Sequence, residues 1–101
     1  MDAPEETVDE LASLAPGHTL IDVRSAEDYA AGHVPGAVNV PFDDVLADPA
    51  RTYGEGPVHV VCQSGRRSMK AATAMSEAGV PAVSVAGGTS AWVESGRAVE
   101  Q

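Results

Sequence analysis

One cysteine, Cys62, stands in this 101-residue chain, between the run Val58-His59-Val60-Val61 and the segment Gln63-Ser64-Gly65-Arg66-Arg67-Ser68. The apolar, β-branched residues before it read as a strand. A helix is expected over Ser68 to Ala78, closed by Gly79. A cysteine delivered by a strand to a glycine-containing loop can have its sulfur ringed by backbone N–H groups. The N-terminus of the next helix adds a partial positive charge. With Arg66 and Arg67 beside it, such a thiol should ionise below the ordinary value of about 8.5, and thiolate is the nucleophilic form. A free cysteine inside an apolar strand reads as a small buried hydrophobe. Its place at a strand end, ahead of a glycine and two arginines, favours the nucleophile.

The flanking elements give that loop a scaffold. Thr7-Val8-Asp9-Glu10 has the form of a capping box, so a helix is expected from there to about Ala15, stopped by Pro16-Gly17. Thr19 to Val23 reads as a buried strand, and Ser25 caps a short helix that Gly32 ends. Ala37 to Val40, fenced by prolines, reads as a strand near an edge. Phe42 to Asp48 reads as a short helix, Ala82 to Ala86 as a strand, and about Thr89 to Ser95 as a last helix. Met69, Ala72 and Met75 form an apolar stripe at helical spacing. The expected order is thus α-β-α-β-α-β-α-β-α, an α/β domain with a mainly parallel central sheet and helices on both faces. Ligands of such sheets bind beyond the carboxyl ends of the strands. Two expected strand ends carry chemistry, one with Asp22 and Arg24, the other with Cys62.

The motifs at those ends resemble a known family. Asp22-Val23-Arg24, then Tyr29, then Gly32-His33-Val34-Pro35-Gly36-Ala37 is similar to the opening motif of rhodanese domains. Cys62-Gln63-Ser64-Gly65-Arg66-Arg67-Ser68 resembles the rhodanese active-site loop, and Gly87-Gly88 with Trp92 resembles the closing Gly-Gly-x-x-x-Trp pattern. The resemblance spans Leu20 to Trp92 in the family's order and implies one rhodanese-like domain over residues 1–101. It implies a thiosulfate sulfurtransferase in which Cys62 takes sulfur from thiosulfate or a related donor as a persulfide. A thiophilic acceptor, cyanide or a thiol, then removes that sulfur. In this reading Cys62 is catalytic, and Gln63, Ser64, Gly65, Arg66, Arg67 and Ser68 bind the donor. Asp22 helps hold the loop, and Arg24 pairs with an acid in the following helix, Glu27 or Asp28.

Two other readings fit parts of the pattern. Phosphatases and arsenate reductases of related folds use Cys-x5-Arg, whereas this chain has Cys-x4-Arg with Ser68 where that arginine would fall. The shorter cradle suits sulfur better than a phosphoryl group. A rhodanese-like domain can also serve as a non-catalytic binding or regulatory module, usually after losing the cysteine retained here.

Composition limits the remaining classes. Fifteen acidic and six basic residues give a formal charge of −9, which argues against nucleic-acid and anionic-membrane partners. Residues 1–50 hold eleven acids and one base, while Arg66, Arg67 and Lys70 cluster just after Cys62. The expected partners are therefore a small anionic sulfur donor and a thiol or protein-thiol acceptor. A single cysteine excludes an internal disulfide. With three scattered histidines, His18, His33 and His59, no metal site is indicated and no cofactor is expected. Aromatics are 4% of the chain, so the core must rest on aliphatic residues. No apolar run reaches the ~20 residues of a membrane span. The acidic start, Met1 to Glu10, lacks the features of a signal peptide, so a cytoplasmic location is expected.

Overall fold

The computed structural model describes residues 2–14 and 17–101. Its elements in chain order are β1 (Glu5–Glu6), α1 (Val8–Ala12), β2 (Thr19–Asp22), α2 (Ala26–Ala31) and β3 (Val38–Asn39). They continue with α3 (Phe42–Ala47), β4 (Val58–Val61), α4 (Arg66–Glu77), β5 (Ala82–Val85) and α5 (Gly88–Glu94). The strands form one all-parallel sheet in the order β1-β5-β4-β2-β3. Among the described residues, no helix is long and apolar enough to cross a membrane.

The local signals explain most of these elements. Thr7 Oγ1 accepts from the Glu10 N–H, and Glu10 Oε1 accepts from the Thr7 N–H, which closes the capping box of α1. Helix α1 is shorter than expected, and its predicted stop at Ala15 and Pro16 lies outside the described residues. Ser25 caps α2 through the Asp28 N–H.

Two expectations need correction. Helix α4 starts at Arg66, not Ser68, because Gly65 takes the N-cap position with φ +102°, leaving the Ser68 hydroxyl free to turn inward. The fold also contains a fifth strand, β1, paired in parallel with β5 through Glu5↔Ser84 and Glu6↔Val85. Two glutamates carry no apolar signature, and backbone pairing alone makes them a strand.

Alternate strand residues face opposite sides of the sheet. Ile21, Val58, Val60 and Ala82 pack with Val45 of α3 and Ala71, Ala72 and Met75 of α4 on one face. Leu20, Val61 and Val85 pack with Leu11 of α1 and Trp92 of α5 on the other. Trp92 is buried, and its Nε1–H donates to the Ala98 carbonyl at 2.9 Å. The helices thus cover both faces, and the parallel strands send their carboxyl ends to one edge, where β2 leads to Arg24 and β4 leads to Cys62.

Candidate active site

Cys62 follows directly on β4, whose four residues are all buried. The Gly65 N–H donates to its sulfur at 3.1 Å. The Cys62 thiol lies 3.4 Å from the Ser68 hydroxyl, to which it donates when protonated. Burial is the largest single influence on this thiol and pushes its pKa up. The Ser68 hydroxyl and the backbone N–H groups of Ser68, Gly65 and Ser64 outweigh it together, so the pKa falls below the ordinary thiol value. From the sequence, Arg66 and Arg67 are expected to share that role. Both are exposed, and the lowering comes from the hydroxyl and the amides.

The loop's shape depends on the β5–α5 junction. The Thr89 N–H and hydroxyl donate to the Cys62 carbonyl at 2.8 and 3.1 Å, and the Ser90 N–H donates to the Gln63 carbonyl at 3.1 Å. The first turn of α5 therefore satisfies the carbonyls of Cys62 and Gln63. Gly88, at φ +58°, allows this approach, because a Cβ there would collide with the Cys62 carbonyl oxygen and lie 2.8 Å from the Gln63 carbonyl.

A second support comes from β2. Arg24 is almost fully buried, and Asp22 holds its guanidinium through contacts of 2.8 to 3.1 Å. From there Arg24 donates to the Gly32 carbonyl at 2.8 Å and to Gln63 Oε1 at 3.2 Å. Gln63 Nε2 in turn donates to Ser90 Oγ at 2.7 Å. The expected pairing of Arg24 with Glu27 or Asp28 is replaced by one with Asp22. Residues i and i+2 leave a strand on the same face, whereas Glu27 and Asp28 of α2 are exposed and the buried guanidinium is held by Asp22, Gly32 and Gln63. Asp22 thus acts on the loop through Arg24 and Gln63.

A cleft of about 370 Å³ opens onto the sulfur, lined by Asp28, Cys62, Gln63, Ser64, Arg66 and Arg67. A neighbouring cleft of about 470 Å³ shares Arg67 and runs past Arg24 and Phe42. A smaller space near His18 and Tyr53 lies at the amino end of β2, away from the sulfur. Among the described residues, no group of three or more His, Cys, Asp or Glu side chains could hold a metal.

The rhodanese-like domain family matches residues 5–95, nearly the whole chain. The chain belongs to the rhodanese-like domain family. It is 38% identical to thiosulfate sulfurtransferase 16, chloroplastic, of Arabidopsis thaliana over 96 residues, covering 82% of this chain and 80% of that protein. The human single-domain sulfurtransferase TSTD1 superposes with a TM-score of 0.76 at 31% identity, over 91% of this chain and 96% of the other. A rhodanese-related protein of Thermoplasma volcanium superposes with a TM-score of 0.87 at 25% identity, over 96% and 97%. Some relatives are much longer. The chain spans 24% of the adenylyltransferase and sulfurtransferase MOCS3 of Aedes aegypti, to which it is 38% identical. A sulfurtransferase-type role follows from these relationships.

Within this rhodanese-like fold, Cys62, Gln63, Ser64, Arg66 and Arg67 line one cleft, while Gly65 and Ser68 approach the sulfur from the loop and α4. The sequence signals no place at the sulfur for four of its neighbours, Asp28 being expected only as a partner of Arg24. Thr89 and Ser90 were legible as the residues after Gly87-Gly88, where a helix N-terminus needs partners. Asp28 faces the cleft across the chain from the loop, and Ser84 lies beneath it. No local spacing signals either one.

Proposed function

We propose that this single domain is a thiosulfate sulfurtransferase with Cys62 as its nucleophile. The observation that carries the proposal is the sulfur itself, held by the Gly65 N–H and beside the Ser68 hydroxyl at the mouth of a cleft bearing two arginines. Such donors stabilise an anion at the sulfur and do so without reorganising during the reaction. In the first half-reaction, the Cys62 thiolate attacks the outer sulfur of thiosulfate. A bond forms between the two sulfurs, and the bond to the sulfonate breaks with its electron pair. Sulfite leaves, and the persulfide anion Cys62–S–S⁻ remains, so three negative charges stand on each side. In the second, cyanide or a thiolate attacks the outer sulfur and restores the Cys62 thiolate. Arg66 and Arg67 offer charge-assisted hydrogen bonds to the sulfonate.

The acceptor is external, because the chain has no second cysteine to resolve the persulfide. A cytoplasmic setting belongs to the same proposal, since a working thiolate needs a compartment that keeps thiols reduced. Steady-state turnover of thiosulfate with cyanide as acceptor tests the reading. Thiocyanate release with ping-pong kinetics is expected, and turnover that persists in Cys62→Ser contradicts it.

A further inference from the structure

Behind the sulfur, on the side away from the cleft, lies a chain of buried hydroxyls. Ser68, in the first turn of α4, and Ser84, on β5, are both 0% exposed. Their Oγ atoms are 2.9 Å apart, and Ser68 Oγ is 3.4 Å from Cys62 Sγ. Ser84 sits on the face that Ala82 shares with the apolar underside of α4. Its register partners are Val60 of β4 and Glu5 of β1, and a buried hydroxyl is tolerated only with a hydrogen-bond partner. Among the described residues, Ser68 is the one hydrogen-bond partner of the Ser84 side chain.

The direction of this chain is coupled to the charge on the sulfur. When the thiol is protonated, S–H donates to Ser68 and Ser68 donates to Ser84. When the sulfur is an anion, the Ser68 proton turns to it, and Ser84 donates to the lone pair Ser68 has freed. Each bond then polarises the next. We infer that Ser84 is a positioning residue, which by donating to Ser68 aims that hydroxyl at the Cys62 sulfur and supports the anion there. For the persulfide anion this rests on the sulfurtransferase reading; for the thiolate it does not.

The charged groups around the open side of the sulfur are Asp28, Arg66 and Arg67, with Arg24 and Asp22 reaching it through Gln63. None of them changes in the variants that follow, so a shift reports the buried side. The test is the pH dependence of iodoacetamide alkylation of the full chain. Ser84→Ala should move the midpoint up by about half a pH unit, and Ser68→Ala by about one. In the Ser68→Ala background, Ser84→Ala should add almost nothing, because the link between them is already cut. Ser84→Thr keeps the hydroxyl and should restore the wild-type midpoint. A Ser84→Ala profile that overlays the wild type overturns the inference. So does a shift that persists undiminished without Ser68, or one that Ser84→Thr shares. Intact mass of the wild type after thiosulfate is read alongside. A wild type that gains no sulfur removes the persulfide reading, and the alkylation midpoints still decide the role of Ser84.

Discussion

At the residue scale, the chemistry of Cys62 is a contest between burial and hydrogen bonding. Burial alone would leave a neutral, inert thiol, and the loop amides with the Ser68 hydroxyl reverse that outcome. The iodoacetamide rate should therefore reach its plateau below the pH of a free thiol. A midpoint at the ordinary thiol value would contradict the balance described. Linkage fixes the effect on stability. The folded pKa lies below the unfolded one, so ionisation of Cys62 supports folding fully above the unfolded value. That support is lost as pH falls through the folded value. In the proposed reaction Arg67 meets the substrate, and it is not among the groups that lower the Cys62 pKa. Arg67→Ala should raise KM for thiosulfate about tenfold, the worth of one charge-assisted hydrogen bond, and leave the alkylation midpoint in place. An unchanged KM would mean that Arg67 does not meet the donor.

At the element scale, the loop is shaped by its neighbours as much as by its own residues. Gly88→Ala should destabilise the protein by roughly 2 kcal/mol, from backbone strain at positive φ together with collision at the Cys62 and Gln63 carbonyls. Equilibrium urea unfolding measures this, and a midpoint equal to wild type would show that the junction tolerates a side chain. The elements legible in the sequence were those with local signals, such as the Thr7–Glu10 capping box and the apolar run of β4. Helix α4 was expected two residues late because Gly65 and the two arginines after it read as a continuation of the loop. The Ser68 hydroxyl instead serves the interior, and a glycine starts the helix. Strand β1 was invisible because Glu5 and Glu6 pair through their backbones with a strand almost eighty residues away. The loop residues were legible as a motif. Ser84 was not, because one serine in Ala-Val-Ser-Val gives no sign that it faces inward.

At the scale of the whole molecule, the −9 charge is compatible with the proposed anionic donor because the charges are segregated. The acids concentrate in the first half of the chain, and two of its six basic residues line the cleft. The first strand is also fastened from within. Buried Glu6 of β1 pairs with His59 of β4, reaching across the position of β5. Glu6→Ala should cost about 3 kcal/mol, the usual loss when one partner of a buried pair is removed, measured by urea unfolding. Alkylation of Cys62 should be unaltered under native conditions, since the pair lies outside the sulfur's hydrogen-bond shell. A loss below about 0.5 kcal/mol would place the pair among those of surface strength. The central claim, that Cys62 carries transferable sulfur, is tested most directly by the intact mass of the reduced protein after incubation with thiosulfate. A gain of one sulfur, about 32 Da, is expected, which cyanide removes and Cys62→Ser never acquires. An unshifted mass at saturating thiosulfate would contradict it.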